Sequence, residues 1–450
     1  MKRKIYSQLL EWKQNRNGET ALLIEGARRV GKSYIVEQFA KNEYKSYILI
    51  DFNIADNDIR QLFDNYLGNL DTLFMYLTNY TGIKLHKRNS LIIFDEVQFC
   101  PRARAAIKYL VADGRYDYIE TGSLVSIKQS VEGIMLPSEE ETLEMFPMDF
   151  EEFLWASGNE IFMDFIRDHY LHQQPLGNAM HRKAMDYFRQ YMIVGGMPQA
   201  VEKYLVTKDF EETDRVKRQI LTLYRNSAAQ YAGKYADKVV NLFDEIPSQL
   251  QRHEKRFRLA DLNKTARLRD YESSFFWLSD AKIVNICYNT TEPSIGLNMN
   301  TDRVTLKCYM ADTGLLISHA FDENGIVKEE VYQKILKDHL EFNSGMIVEN
   351  IVAQALKASG HKLYFYSYSS INNKDDRMEI DFLIQKSKVT SRHNIIPIEV
   401  KSSTRYTLTS LRKCIAKFGN CITSPCVIHT ADLKVEDGIL YIPLYMAGLL

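Results

Sequence analysis

The chain has 450 residues, of which 45% are hydrophobic and 26% are charged, and its formal net charge at pH 7 is −1. This length predicts about three domains, since single cores seldom grow beyond about 150–200 residues. The near-neutral charge excludes a surface that is basic throughout, so any contact with nucleic acid must be local. No run of apolar residues approaches the roughly 18–20 that a membrane span requires.

The amino terminus lacks the pattern of a secretory signal. Met1–Lys4 is basic, but the Ile5–Trp12 segment that follows is too short and too mixed for the apolar part of a signal peptide. The six cysteines are scattered without a CxxC pair, which favours buried thiols over a zinc site. We therefore expect a cytoplasmic protein.

The first chemical motif is a glycine-rich loop between a predicted strand and a predicted helix. Ala21–Glu25 is a short apolar run, Gly26–Ser33 reads GARRVGKS, and a periodic segment, Tyr34–Ala40, follows. This G-x4-G-K-S pattern predicts a loop whose backbone N–H groups bind phosphate at a helix N-terminus. We expect Lys32 to contact the β- and γ-phosphates of ATP and Ser33 to bind Mg²⁺. The predicted nucleotide-binding residues of this loop are Gly26, Ala27, Arg28, Arg29, Val30, Gly31, Lys32, Ser33 and Tyr34.

Two adjacent acidic residues follow a predicted buried strand. Ser46–Phe52 predicts one strand of a parallel sheet, and Leu91–Phe94 predicts another that leads directly into Asp95 and Glu96. A buried parallel strand delivers such residues to the carboxyl edge of the sheet. We expect Asp95 to hold the metal and Glu96 to polarise the attacking water.

The combination of these motifs resembles a large family of prokaryotic AAA-type ATPases, whose C-terminal half is usually recorded as a domain of unknown function. The matching strings are GARRVGKS, LIIFDEVQ and ETGS, together with segments 146–154, 195–199 and 309–316 and the pair Glu379–Asp381 and Glu399–Lys401. The resemblance implies a polar residue after the third strand, Tyr116–Ile119, that senses the γ-phosphate. Thr121 or Ser123 could serve, and a plain turn is the alternative.

The sequence departs from this family at one place. Related proteins often carry Gly-Arg soon after the sensor turn, where this chain has Glu132-Gly133-Ile134. An arginine acting in trans is therefore not assigned there. Arg225 is another candidate, with a surface arginine as the simpler interpretation. A homo-oligomer stays open as an alternative to a monomer.

The middle of the chain changes its pattern twice. Residues 148–238 have apolar residues at helical spacing, interrupted at Gly195-Gly196 and Pro198, which predicts a helical lid. After residue 239, three predicted helices (239–250, 259–268 and 273–281) precede two predicted strands (282–288 and 304–309), the order of a winged helix. The predicted domains are thus a P-loop core at 1–147, a lid at 148–238, a winged helix at 239–320 and a final domain at 321–450.

A basic segment lies inside the predicted winged helix. Between Arg252 and Asp270 there are seven Lys or Arg residues against three acids. Such a run is often only a solvated surface, but the order of the elements also fits DNA binding. The candidate phosphate contacts are Arg252, Lys255, Arg256, Lys264 and Arg267.

The C-terminal region carries two acidic strand patterns. Side chains alternate along a strand, so Asp381 lies on one face of Glu379–Ile384, and Glu399 and Lys401 share a face of Ile395–Lys401. Paired as a hairpin, the strands could bring the three together. Two carboxylates and a lysine suit metal-dependent phosphodiester cleavage. Glu349, an acid on the apolar stripe of a predicted helix, needs a partner and joins Asp381 and Glu399 as a candidate metal ligand.

The order of these elements and the D-x17-E-x-K spacing resemble the PD-(D/E)XK nuclease superfamily. A surface ion pair is the alternative interpretation, and such a site can also bind DNA without cutting it. The predicted fold is α/β: a P-loop AAA-type parallel sheet with a helical lid, a winged helix and a restriction-endonuclease-like domain. We expect an ATPase using ATP and Mg²⁺ that binds, and cleaves or remodels, DNA. The rival is a nucleotide-dependent signalling switch for a protein partner, with an inactive C-terminal domain.

Overall fold

A computed structural model gives the structure of the protein. It describes residues 1–123, 137–252, 256–262, 264, 267–294, 296–321, 329–336, 344–368, 377–386, 393–403 and 405–450. The chain forms two compact units. The first comprises Met1–Phe146 with Asp280–Lys282, and the second comprises Pro147–Ser279 with Ile283–Leu450. No helix in the described ranges has the length and apolar character needed to cross a membrane.

The first unit is built on a sheet of five parallel strands in the order β2-β3-β4-β1-β5. The strands are β1 Ala21–Glu25, β2 Ser46–Asp51, β3 Ser90–Asp95, β4 Asp117–Gly122 and β5 Glu140–Glu144. Every residue of β3 and β4 is buried, as expected for central parallel strands covered on both faces. This order places the carboxyl ends of β1, β3 and β4 side by side at one edge.

Helices cover both faces of this sheet. They are α1 Ile5–Arg16, α2 Lys32–Glu43, α3 Asn57–Asn65, α4 Leu70–Thr81 and α5 Pro101–Asp113. Because side chains alternate along each strand, one core packs Leu22 and Ile93 with α1 and α2, and the other packs Leu23 and Phe94 with α3, α4 and α5. The predicted α/β fold with a parallel P-loop-type sheet is confirmed.

The second unit begins with helices. Those that follow residue 147 are α6 Phe150–Ala156, α7 Glu160–Leu171, α8 Asn178–Val194, α9 Pro198–Thr207, α10 Phe210–Tyr231, α11 Ala236–Gln251, α12 Glu272–Asp280, α13 Thr313–Ala320, α14 Glu329–Leu336, α15 Ser344–Ala358 and α16 Thr409–Phe418. Asp149 and Glu152 form a capping box at the start of α6, which satisfies two free N–H groups. The interruption predicted near Gly195 falls between α8 and α9.

The second unit also contains a sheet of eight strands in the order β12-β13-β11-β10-β9-β8-β6-β7. The strands are β6 Val284–Thr290, β7 Thr301–Met310, β8 Tyr364–Tyr368, β9 Met378–Gln385, β10 Ile395–Val400, β11 Cys426–His429, β12 Lys434–Glu436 and β13 Ile439–Pro443. β9 and β10 pair antiparallel, with Ile398 opposite Phe382. The hairpin expected for the two acidic strand patterns is therefore present.

The strand pair that sequence analysis assigned to a winged helix belongs to this same sheet. β6 pairs antiparallel with β7 and parallel with β8, so β6 and β7 extend the sheet of the C-terminal strands. The helix expected over 259–268 also differs, because Leu259–Asp261 and Leu268–Asp270 form separate 3-10 turns. Between these turns and α11, the Asp261 carboxylate accepts hydrogen bonds from the Gln249 and Arg252 side chains.

Two motifs of the family resemblance meet inside the second unit. The buried Asp312 carboxylate caps α13 by accepting from Leu315 N at 2.8 Å, and it also accepts from Gly196 N. A Cβ on Gly195 would lie 2.3 Å from Asp312 Oδ1, and Gly195 has a φ of +81°. Glycine is therefore required there by both space and backbone conformation. The Gly195-Gly196 and Asp312 motifs thus join two parts of one core.

Candidate functional site

The glycine-rich loop lies between β1 and α2 and has the backbone conformation that its glycines predict. Gly31 precedes the first residue of α2 and has a φ of +99°, a conformation that favours glycine. A Cβ on Gly26 would lie 2.4 Å from the Met145 carbonyl oxygen, so no side chain fits there. Arg29 also has a positive φ, of 69°. The loop is thus a tight turn opening onto the N-terminus of α2.

The Lys32 ammonium lies inside this loop. It donates to the Gly26 carbonyl at 2.8 Å and to the Ala27 carbonyl at 3.0 Å. Burial lowers the pKa of Lys32 to about 8, and the nearby charges of Glu96 and Asp95 oppose that shift only in part. The lysine is therefore a buried cation already held at the place where phosphate is expected.

Two hydroxyl groups converge on Asp95 at the end of β3. Ser33 Oγ donates to Asp95 Oδ1 at 2.9 Å, and Thr121 Oγ1 donates to the same oxygen. Thr121 lies in the adjacent strand β4, so the sheet order itself creates this meeting. Hydroxyl and carboxylate oxygens are the ligands that Mg²⁺ prefers. Ser33 and Asp95 therefore fit the metal expected beside the loop.

The backbone of Glu96 has a conformation that the surrounding structure must stabilise. Its φ is 51°, in the left-handed region that costs a non-glycine residue energy and that is common at functional sites. Gln98 Nε2 donates to Glu96 Oε2, and Ser123 Oγ lies 3.4 Å from the same oxygen. The structure thus brings Ser123 to Glu96 and Thr121 to Asp95.

The other predicted residues of the glycine-rich loop differ in their exposure to solvent. Ala27 and Val30 are buried, whereas the Tyr34 residue is 53% exposed. Sequence reasoning missed Arg3, which donates to the Val30 carbonyl at 2.9 Å and to the Phe146 carbonyl at 2.6 Å. Arg3 therefore supports the loop from the amino terminus, and no local motif marks it. Arg28 stays a predicted nucleotide contact.

The candidate Arg225 makes side-chain contacts within the second unit. Arg225 donates from Nε to Asp244 Oδ1 at 2.7 Å, and its Nη2 lies 3.2 Å from His319 Nδ1. Arg225 is thus a partly buried arginine with partners inside the second unit, and not the freely exposed surface arginine of the simpler interpretation. The Glu132–Ile134 segment lies outside the described residues.

The basic segment is only partly exposed. Arg252 pairs with Asp261, and Arg256 Nη2 donates to Ser367 Oγ at 2.7 Å. Lys264 and Arg267 are exposed, whereas Lys255 lies outside the described residues. Two of the four candidate DNA contacts that the structure describes are thus open to solvent.

The C-terminal hairpin brings the acidic motif together. Lys401 Nζ donates to Glu399 Oε2 at 2.7 Å, and the Val400 N–H donates to Asp381 Oδ2 at 2.8 Å. Burial and the charge of Asp381 raise the pKa of Glu399 to about 8. Glu349 comes close as well, since the buried Lys307 lies 3.9 Å from both Glu349 and Asp381.

Lys307 is the functional-site residue that sequence reasoning missed. It lies on β7, only 1% exposed, and its Nζ is also 3.1 Å from Glu379 Oε1. Burial lowers the pKa of Lys307, but the charges of Glu349, Glu379 and Asp381 together raise it above its usual value. The sequence marks Lys307 only as a lysine within the apolar pattern LKCYM. The strands that neighbour this segment in the sheet could not be deduced from the sequence.

A divalent ion at this cluster would share its carboxylates with a buried lysine. In the part of the chain that the structure describes, no group of three or more His, Cys, Asp or Glu residues is arranged to hold a metal. Mg²⁺ needs several oxygens at about 2.1 Å, whereas an ammonium group lies among these carboxylates. The metal site predicted at Glu349, Asp381 and Glu399 stays a prediction, and the structure adds Lys307, whose Nζ lies 3.9 Å from Glu349 and from Asp381.

Three family models match separate parts of the chain. Residues 18–154 match "AAA domain", residues 185–324 match "Domain of unknown function (DUF8612)" and residues 344–446 match "Domain of unknown function (DUF4143)". No curated protein matches the chain.

Several solved structures are similar to this fold. A Walker-type ATPase of Pyrococcus abyssi is 15% identical, with 71% of this chain and 95% of that chain covered and a TM-score of 0.40. The Aeropyrum pernix ORC1 protein in complex with DNA is 11% identical, with 72% and 94% covered and a TM-score of 0.25. A STAND protein of Pyrococcus horikoshii is 12% identical, with 80% and 49% covered and a TM-score of 0.25. The five-stranded sheet, the loop at Gly26–Ser33 and the match of residues 18–154 show a AAA-type P-loop ATPase domain.

Proposed function

We propose that the protein binds ATP with Mg²⁺ at the carboxyl edge of the first sheet and hydrolyses it. The observation that carries this proposal is the convergence of groups from three neighbouring strands. Lys32 and Ser33 follow β1, Asp95 and Glu96 end β3, and Thr121 is in β4. Phosphoryl transfer depends mainly on such positioning and on charge stabilisation.

Each residue has a distinct role in this proposal. The Lys32 ammonium exchanges its two carbonyl acceptors for β- and γ-phosphate oxygens. Ser33 and Asp95 hold Mg²⁺, which when bound neutralises charge on the phosphates. Glu96, oriented by Gln98, accepts a proton from the attacking water. Thr121 senses the γ-phosphate through its hydrogen bond to Asp95, and Ser123 does so through its contact with Glu96.

Nucleotide binding is expected to depend on pH through Lys32. The pKa of Lys32 is about 8 without nucleotide, and bound phosphates raise it because they favour the charged form. ATP affinity should thus be constant below about pH 8 and fall by up to about tenfold per pH unit above it. Calorimetric titration from about pH 7 to about pH 9.5 tests this. Lys32→Arg is the matched control, since arginine stays charged. A wild-type affinity that does not change over this range would contradict the assignment.

We propose further that the ATPase cycle is coupled to DNA bound by the second unit. The exposed basic residues Lys264 and Arg267 would contact phosphates, and the C-terminal sheet would contact DNA without metal-dependent cleavage. The local basic excess on a nearly neutral chain supports this, since such a patch is the electrostatic footprint of nucleic-acid binding.

Charge reversal of the two exposed residues tests the DNA proposal. Lys264→Glu with Arg267→Glu should weaken duplex binding and reduce the slope of log affinity against log salt by about 0.9 per lost contact. Fluorescence anisotropy over a series of salt concentrations measures both quantities. The matched control is Lys84→Glu with Lys87→Glu, two exposed lysines of the first unit, which should leave the slope unchanged.

The rival function has a distinct outcome in the same experiment. If wild type binds no duplex, single-stranded or branched DNA at low salt, the basic segment is a solvated surface. The chain would then be a nucleotide-dependent switch that binds a protein partner. An unchanged slope in the Lys264 and Arg267 variant would likewise remove this segment from the DNA interface.

A further inference from the structure

A lysine lies at the centre of the C-terminal acidic cluster. Lys307 Nζ is 3.1 Å from Glu379 Oε1, 3.9 Å from Asp381 Oδ1 and 3.9 Å from Glu349 Oε2. These carboxylates come from β9 and α15, whereas Lys307 comes from β7. The lysine thus joins three elements that are distant in sequence.

The surroundings hold this ammonium group in place. Lys307 is only 1% exposed and its Nζ lies 5.0 Å from the centre of the Phe365 ring, a favourable cation–aromatic distance. Tyr309 OH donates to Glu349 Oε2 at 3.0 Å, which fixes one of the acceptors. A buried charge is stable only when it is paired in this way. Lys307 is therefore part of the core and not a mobile surface side chain.

Two lysines face the four carboxylates of this cluster, so they compensate half of its formal negative charge. Glu349, Glu379 and Asp381 face Lys307, and Glu399 faces Lys401 at 2.7 Å. A nearby cation helps a buried carboxylate to stay ionised, and Lys307 is that cation for Glu349, Glu379 and Asp381. A divalent ion among the same carboxylates would meet the repulsion of an ammonium group that cannot move to solvent.

We propose that Lys307 is a resident cation in the position of a divalent metal, so that the C-terminal cluster binds no Mg²⁺ and the hairpin is a scaffold without metal-dependent nuclease chemistry. This inference is independent of the ATPase proposal. In this proposal, Lys307 neutralises negative charge as a bound metal would. It does not activate a water molecule, which a bound metal would also do.

Metal binding by the nucleotide-free full-length protein tests the proposal directly. Mn²⁺ is titrated into wild type and into Asp381→Asn, and the free ion is measured by electron paramagnetic resonance. The two proteins should bind the same amount of Mn²⁺ at every concentration, because Asp381 is not a ligand in either. A Mn²⁺ ion that wild type binds and Asp381→Asn does not bind would overturn the proposal.

A charge-balanced variant tests the role of the lysine itself. Lys307→Met with Glu379→Gln removes one charge of each sign and leaves Glu349, Asp381 and Glu399. This variant should bind one Mn²⁺ ion more than wild type does, and adding Asp381→Asn should abolish the gain. A folded variant, checked by circular dichroism, that gains no ion would overturn the proposal. If the variant does not fold, the comparison of wild type with Asp381→Asn decides alone.

Discussion

Lys32→Ala is expected to lower the rate of ATP hydrolysis by about a hundred- to a thousand-fold, because it removes a preorganised donor from the charge that develops on the phosphates. Lys32 is buried within the loop, where it donates to the Gly26 and Ala27 carbonyls. ATP binding should weaken as well, since the lysine also contacts the ground-state β- and γ-phosphates. Release of inorganic phosphate and calorimetric ATP titration measure the two effects.

The control for this substitution lies on the same helix. Lys41 is also in α2 but is exposed, and it pairs with Glu37 at 2.8 Å across one helical turn. Lys41→Ala should leave hydrolysis and ATP affinity at wild-type values, since exposed ion pairs contribute little. Wild-type turnover by Lys32→Ala would refute the assignment of the phosphate-binding loop.

Glu96→Gln is expected to separate ATP binding from hydrolysis. The amide has almost the shape of the carboxylate and can still accept a hydrogen bond from Gln98, but it cannot accept a proton from water. The hydrolysis rate should therefore fall by about a hundred- to ten-thousand-fold, whereas ATP affinity should change little. Single-turnover hydrolysis and equilibrium binding of ATP, measured on the same protein, provide the comparison.

A surface acid provides the control for the Glu96 substitution. Glu37→Gln removes a carboxylate of α2 that pairs with Lys41, and it should leave both quantities unchanged. If Glu96→Gln hydrolyses ATP at the wild-type rate, the general base is a different group. If Glu96→Gln no longer binds ATP, its effect is structural, through the strained backbone at this residue.

The nucleotide site could be predicted from the sequence because its signals are local. The pattern Gly26–Ser33 fixes a tight turn at the start of a helix, and an apolar run places Asp95 and Glu96 at the end of a buried strand. The parallel sheet then brings these ends together. The contacts of Thr121 with Asp95 and of Ser123 with Glu96 required only that β3 and β4 be neighbours.

The C-terminal region was less predictable because its contacts are non-local. Lys307 lies more than 70 residues before Glu379 and Asp381, and its strand pattern suggested the wing of a separate domain. Pairing of β6 with β8 instead places this strand pair in the C-terminal sheet. Arg3 was missed for the same reason, since its contact with the Phe146 carbonyl spans most of the first unit.

Steady-state ATP hydrolysis with and without duplex DNA tests the central proposal most directly. It is measured at low salt with Mg²⁺ for wild type, for Lys32→Ala and for the charge-reversed variant at Lys264 and Arg267. We expect DNA to stimulate wild-type hydrolysis, Lys32→Ala to be inactive with or without DNA, and the charge-reversed variant to keep its basal rate but lose the stimulation. A wild-type rate that is the same with and without DNA would contradict the coupling, and hydrolysis by Lys32→Ala at the wild-type rate would contradict the nucleotide site itself.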